Sequence, residues 1–165
     1  MRRYALFPTG LLLIALIIAC PVQAFTAKSL DIVVQDNTDA VITFDYDLTW
    51  YENIAVFARI TDPGIELKKA LESNFNKPVE VVRADTGRSQ FYVQGFASGQ
   101  EHDGTVTLTT PALSFREAEN ILKQYWFAPI IHPDFSPDNT RIVFPDGYVQ
   151  TFSNQDRIPA VSHTL

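Results

Sequence analysis

The feature that most constrains the fold of this chain is the segment Val41–Trp50, in which apolar and polar residues alternate strictly from Ile42 to Trp50. Large apolar residues occupy every second position, and Thr or Asp fills the positions between them: Ile42, Phe44, Tyr46, Leu48 and Trp50 against Thr43, Asp45, Asp47 and Thr49. Successive side chains of a strand point to opposite faces of a sheet. The alternation therefore predicts a strand with one packed face and one face in water. Leu30–Val34 is a suitable partner strand, and the turn residues of Asp36–Asp39 predict a hairpin between the two.

The remaining strand candidates are short runs bounded by turn residues: Val79–Ala84, Gln90–Phe96, Thr105–Thr109, Thr140–Phe144 and Tyr148–Phe152. Asp85–Arg88 and Pro145–Gly147 have the composition of tight turns, so each predicts a further hairpin. The polar stretch Ser98–Gly104 and the proline-marked stretch Pro129–Pro137 are interpreted as loops.

Two segments carry helix signals. Asp62 and Pro63 supply an N-cap and a first-turn proline for a helix over about Gly64–Phe75. Ser114–Glu117 has the sequence of a capping box, which predicts a helix that runs to about Trp126. A third, short helix is one interpretation of Ile54–Ile60, and a strand is the other. The order of elements predicts an α+β fold: an antiparallel or mixed sheet built from hairpins, with two to three helices packed on one face.

The N-terminus has the three parts of a secretory signal. Arg2 and Arg3 are followed by the apolar run Leu11–Ala19 and by Val22-Gln23-Ala24, which predicts cleavage between Ala24 and Phe25. The strongly apolar stretch is shorter than the roughly 20 residues that a membrane-spanning helix needs. We therefore predict residues 1–24 as a signal peptide, and residues 25–165 as a single exported domain with a short C-terminal tail from about residue 159.

Two alternatives for this segment stay open. Ile17-Ile18-Ala19-Cys20 is similar to a lipobox, in which cleavage before Cys20 leaves a thiol for lipid attachment. The other alternative retains the segment as a membrane anchor. All three interpretations of this segment (cleaved signal peptide, lipid attachment at Cys20 and retained anchor) predict export to the extracellular space or the cell surface. Contact with a membrane would come only through residues 1–24.

Charge and cysteine content exclude several classes of function. The chain has a net charge of −6, and removal of the signal takes away Arg2 and Arg3 and no acidic residue. An acidic surface disfavours nucleic acids and anionic lipids as partners. The single cysteine is Cys20, so a domain cleaved after Ala24 has no disulfide and no thiolate nucleophile.

Three residues are candidate metal ligands. His132, Asp134 and Asp138 would offer a nitrogen and two carboxylates to a divalent cation. The competing interpretation is a solvated turn with capping aspartates. Asp45 and Asp47 share the polar face of their strand, which suits either a shared cation or the protection of a sheet edge by charge.

A catalytic serine with a histidine base is less well supported by the sequence than the metal site. Ser114 would need His102 or His163 as a base, but no Gly-x-Ser-x-Gly motif surrounds it. Phosphate-binding, dinucleotide-binding and EF-hand motifs are also missing from the sequence. We predict no catalytic residues and no cofactor.

Aromatic residues are dense for a domain of this size, with Trp50-Tyr51, Phe91-Tyr92 and Tyr125-Trp126-Phe127 as runs. Most of them are expected in the core. Those left exposed, together with free strand edges, would suit contacts with another protein. The first hypothesis is therefore a non-catalytic exported domain engaged in protein–protein interaction or envelope assembly, with envelope or membrane proteins as partners. The alternatives are a metal-binding or metal-assisted hydrolase domain and a small-molecule binding module.

The segments Phe44–Trp50 and Ile54–Phe57, with Tyr125–Pro129 and Phe144–Tyr148, resemble segments of uncharacterised small exported or membrane-associated proteins of methanogenic archaea. This resemblance implies an archaeal source and an exported or membrane-associated location. It implies no activity and assigns no role to any residue.

Overall fold

A computed structural model describes residues 26–47, 68, 71–72, 75–85, 87–122 and 135–165. Strands dominate these residues, in the order β1 (Thr26–Val34), β2 (Ala40–Asp47), β3 (Val79–Ala84), β4 (Arg88–Val93), β5 (Ser98–His102), β6 (Thr105–Thr109), β7 (Leu113–Ser114), β8 (Asn139–Val143), β9 (Val149–Ser153), β10 (Arg157–Ile158) and β11 (Ser162–Thr164). The helix α1 (Phe115–Leu122) lies between β7 and β8.

Six strands form the main sheet, in the order β3-β4-β2-β1-β8-β9. Neighbours pair antiparallel except β1 and β8, which run parallel. The sheet is therefore made of hairpins on both sides, and a pairing between distant parts of the chain joins the two halves.

The inner face of the main sheet is apolar because of the period-two pattern. Ile32 pairs with Ile42 and with Ile142, and Ile42 pairs with Phe91, so four large side chains form one row across four strands. All four are buried. Burial of each such side chain contributes roughly 1.5–3 kcal/mol.

Two small sheets complete the core. One pairs β10 with β7, and the other has the order β11-β6-β5. Leu108 of β6, Leu113 of β7 and Ile158 of β10 are buried in the same hydrophobic cluster as the inner face of the main sheet. One core therefore serves all three sheets in the described part of the chain.

The predicted α+β class with two to three helices on one face is wrong: the described residues form a mostly β fold. Their one helix with defined bounds is α1, which has eight residues. Leu71 and Phe75 pack against the core from the segment predicted as a helix over Gly64–Phe75, most of which lies outside the described residues. The Ile54–Ile60 segment also lies outside them. The strand content was underestimated because two segments that were predicted to have no secondary structure contain strands. These are the polar segment Ser98–Gly104, predicted as a loop, and the C-terminal residues from about 159, predicted as a tail.

Ser98–Gly104 is the clearest of these corrections. The segment contains strand β5, which pairs antiparallel with β6 through a two-residue turn at Asp103 and Gly104. Both turn residues have positive φ, 51° and 78°, as a type I′ hairpin requires. Every residue of β5 is exposed, so no apolar alternation marked it as a strand. Strand β11 likewise lies in the segment predicted as the tail.

The hairpins predicted from turn chemistry are confirmed. Antiparallel pairing joins β1 to β2, β3 to β4 and β8 to β9. Helix α1 begins at Phe115, directly after Ser114, as the Ser114–Glu117 motif predicts. Its predicted extension to Trp126 and the last residues of the Val41–Trp50 strand lie outside the described residues.

Candidate functional site

Free strand edges are the first place to look for a binding site, because their backbone groups are open to another chain. Strands β3 and β9 are the outer strands of the main sheet, and β5 and β11 are those of the three-stranded sheet. Native proteins protect such edges with charge, irregular pairing or short length. The two-residue strands β7 and β10 also have open edges, but these are too short to pair with a further strand. Among the described residues, the four edges of the two larger sheets differ in their protection.

Three of the four edges are protected. Strand β3 carries Glu80 and Arg83, and its register with β4 shifts between Val81 and Arg83. Strand β5 carries Glu101 and an interior Gly99. Strand β11 has only three residues. Each of these features disfavours the addition of another strand.

Strand β9 has none of these protections. Its five residues, Val149–Ser153, include no charged residue, no proline and no glycine. The register with β8 is regular over the whole strand. In the described part of the chain, β9 is therefore the edge best suited to accept another strand.

The hydrogen bonds of the β8–β9 hairpin show which backbone groups face this edge. The Phe144 N–H donates to the Tyr148 carbonyl at 2.9 Å, and the Asn154 N–H donates to the Asp138 carbonyl at 3.0 Å. Hydrogen-bonded and non-hydrogen-bonded pairs alternate along an antiparallel ladder. The backbone groups of Gln150 and Phe152 therefore face β8. Those of Val149, Thr151 and Ser153 point to the outer edge.

An apolar row lies beside this edge on the outer face of the sheet. Val149 pairs with Val143, and Val143 pairs with Val33 on the next strand. Val149 is 43% exposed and Val33 is 41% exposed. We call Val33, Val143 and Val149 the valine row. It gives a chain added at β9 an apolar surface next to the hydrogen-bonding edge.

A cluster of three side chains holds the turn that precedes β9. His163 of β11 hydrogen-bonds through Nε2 to Asp146 Oδ2 at 2.7 Å. Its ring stacks on Tyr148, with centroids 4.1 Å apart and an interplanar angle of 7°. The Tyr148 N–H also donates to Asp146 Oδ1 at 3.0 Å. The C-terminal strand therefore fixes the start of the exposed edge.

The hydrogen bond from His163, followed by that from the Tyr148 N–H, lowers the pKa of Asp146 below its ordinary value. The pair joins a half-buried imidazole to an exposed carboxylate. Because the His163 ring also contacts Phe144, a buried residue, the cluster connects the surface turn to the core.

Asp45 and Asp47 have cationic partners on the outer face. Arg88 donates to both oxygens of Asp45, at 2.5 and 2.9 Å, and Lys28 lies 3.1 Å from Asp47. The Arg88 hydrogen bond holds the pKa of Asp45 below its ordinary value. Strand β2 lies inside the sheet, so the interpretation of these aspartates as edge protection is wrong. The ion pairs with Arg88 and Lys28 compete with the binding of a metal cation between the two carboxylates.

The predicted metal site falls mostly outside the described residues, which include neither His132 nor Asp134. Asp138 is exposed just before β8, and its carbonyl accepts the Asn154 N–H. Among the residues that the structure describes, no group of three or more His, Cys, Asp or Glu side chains could hold a metal ion. The site at His132, Asp134 and Asp138 stays a prediction.

The candidate nucleophile and its bases occupy different places. Ser114 ends β7, directly before α1. His102 lies at the end of β5, where it contacts the neighbouring Asp103, and both side chains are almost fully exposed. His163 is engaged by Asp146 and Tyr148. Cys20, Ala24 and Phe25, the candidate processing residues, lie outside the described residues.

Sequence reasoning missed the particular edge and the cluster that supports it. The lack of charge between Tyr148 and Ser153 is visible in the sequence, but it does not show that the strand lies at an edge. No signal linked Asp146 to His163, because the two meet through the pairing of β11 with β6.

Comparison with protein-family models, with curated proteins and with solved structures finds no match for this chain. Among the described helical residues, no helix is long and apolar enough to cross a membrane.

Proposed function

We propose that the protein is a non-catalytic exported domain that binds another polypeptide by strand addition at the outer edge of β9. The observation that carries this proposal is the contrast between β9, which has no charge, proline or irregular pairing, and the protected edges β3 and β5. Export rests on the sequence of residues 1–24, and envelope assembly is the setting that it suggests.

Strand addition explains the two kinds of surface at this edge. Backbone groups of Val149, Thr151 and Ser153 would hydrogen-bond to an extended segment, which supplies affinity without regard to its sequence. On the outer face, Val149 would lie beside the side chains of that segment. An uncharged extended segment is therefore the expected ligand.

Photo-crosslinking in the producing cells tests this function. A photoreactive residue in place of Val149 should give an adduct with a second polypeptide, whereas the same residue in place of Glu101 on β5 should not. Adducts of equal yield at both positions, or at neither, would contradict the proposal.

A pair of proline variants serves as the matched control. Thr151→Pro removes an N–H that points to the outer edge, so the hydrogen bonds between β8 and β9 are kept. Glu101→Pro makes the same change on β5, where the turn geometry also directs the N–H outward. Thr151→Pro should abolish the Val149 adduct and Glu101→Pro should preserve it, with both proteins shown to be folded by their unfolding transitions.

A further inference from the structure

We propose that the partner at the β9 edge is a second copy of this chain, with β9 paired antiparallel to β9 of that copy about a two-fold axis at Thr151. This inference rests on the proposed function and names the occupant of its site. Four properties of the described residues support it. They are the single unprotected edge, the outward-facing backbone groups centred on Thr151, the absence of charge on β9 and the side-chain pairs that form across the axis.

One unprotected edge favours a closed pair of molecules. A two-fold axis brings the same edge of both copies together, so each copy covers the edge of the other. Because β3 and β5 are protected by charge and by irregular pairing or glycine, the assembly does not continue from there. The product is a dimer with one continuous sheet rather than a fibre.

The direction of the backbone groups selects the axis. Thr151 is the central residue of β9 and, like Val149 and Ser153, directs its N–H and C=O to the edge. An antiparallel pair centred on Thr151 joins Thr151 to Thr151 of the second copy and Val149 to Ser153 of the second copy. All three outward-facing residues then exchange hydrogen bonds, whereas a shifted register leaves some of them without partners.

Electrostatics permits the contact despite the charge of the whole molecule. Two copies of a chain with a net charge of −6 repel each other, but no charged residue lies on β9. The nearest charged side chain across the hairpin on the same face is Arg141, which pairs with Thr151 and lies 2.7 Å from Asp31. The central contact therefore brings no unpaired like charges together.

Side-chain pairing across the axis is also favourable. Thr151 would lie opposite Thr151 of the second copy on the outer face, and cross-strand threonine pairs stabilise sheets. On the inner face Gln150 would lie opposite Phe152 of the second copy. Phe152 is only half-buried in the single chain, so the pairing would cover part of its ring.

Charge-swapped variants at the axis test this inference. Thr151→Lys and Thr151→Glu each place two like charges opposite each other at the axis when the strand pairs with itself about Thr151. Within one chain the new side chain lies beside Arg141, so the unfolding transition of each variant is measured first to show that it is folded. Sedimentation velocity over a range of protein concentrations should show a dimer for the wild type and mainly monomer for each variant. An equimolar mixture of the two variants should regain a dimer at least about tenfold tighter than either variant forms alone.

Glu101→Lys on β5 is the matched control, since it changes the charge of a different edge and should leave the wild-type dimer intact. A wild type that is monomeric at all concentrations, or variants that dimerise like the wild type, would overturn the inference. If the wild type is monomeric and the Val149 crosslink contains a different protein, the second-copy inference fails and the proposed function stands. If neither a dimer nor an edge-dependent crosslink is found, both fail.

Discussion

Asp39, Asp45 and Asp146 each have a pKa below the ordinary value of 3.8. The main cause differs: the Tyr92 hydroxyl donates to Asp39, the Arg88 guanidinium to Asp45 and the His163 ring to Asp146. In each case the folded chain supplies a donor that favours the ionised carboxylate. These residues therefore link the stability of the fold to pH.

The sign of that link follows from the direction of the shifts. A carboxylate with a lowered pKa in the folded state contributes stability above its ordinary pKa, and the contribution is lost as the pH falls through the folded value. We expect urea unfolding to show a loss of stability below about pH 4. Asp146→Asn should flatten part of this loss, because it removes one of the carboxyl groups whose pKa is lowered in the folded state.

Asp103→Asn is the control for this titration, since the Asp103 side chain is 89% exposed in the turn between β5 and β6. It should keep the pH profile of the wild type. An Asp146→Asn profile that superimposes on that of the wild type would show that the His163–Asp146 contact contributes nothing to the loss of stability as the pH falls.

The β5–β6 hairpin depends on the backbone of its turn. Gly104 has a φ of 78°, and a Cβ built there meets no atom within 4 Å. Gly104→Ala should therefore destabilise the protein through its backbone alone, by about 1 kcal/mol. Gly104→Asn should cost less, because asparagine tolerates positive φ better than alanine does. Chemical denaturation of the three proteins measures the difference, and equal stability of all three would contradict this account of the turn.

The same elements show how far the sequence predicts the fold. Hairpins are local, so the turn residues of Asp36–Asp39, Asp85–Arg88 and Pro145–Gly147 were sufficient to predict them. Strand β5 has no apolar face, so its alternation carries no signal, and Asp103-Gly104 was its one local mark. The parallel pairing of β1 with β8 joins distant segments and has no local signature.

The candidate site was less predictable than the hairpins. Whether a strand lies at an edge depends on the order of the whole sheet, which Val149–Ser153 does not encode by itself. The sequence predicted that Asp45 and Asp47 lie on the polar face of their strand. Their ion pairs with Arg88 and Lys28 depend on which strands lie beside β2 in the sheet, and the sequence did not predict those neighbours. Edge position, register and cross-strand partners arise only when the strands assemble.

At the scale of the whole molecule, the two faces of the main sheet differ in their role. Ile32 is fully buried in the core, whereas its neighbour Val33 is 41% exposed on the outer face. Ile32→Ala should cost about 2–5 kcal/mol of stability, because it leaves a cavity among packed side chains. Val33→Ala should change stability by less than about 0.5 kcal/mol.

Urea unfolding of these two variants measures the contrast, and it matters for the proposed function as well. Val33 lies on β1, and β8 and β9 separate it from a chain added at the outer edge of β9, so Val33→Ala should leave both the fold and capture at β9 unchanged. A destabilisation of Val33→Ala as large as that of Ile32→Ala would show that the outer face is covered by the chain itself.

The parallel pairing of β1 with β8 in the main sheet also governs when the protein can fold. Asp31 and Arg141, which form an ion pair across β1 and β8, are 110 positions apart in the chain. Sheets that depend on such distant contacts form slowly, because the conformational entropy of the intervening chain must be lost before the contact stabilises the fold. A growing chain cannot form this pair until residues 139–143 have been synthesised. If residues 1–24 direct export as predicted, a chain that is exported before this pair forms would complete its main sheet on the far side of the membrane.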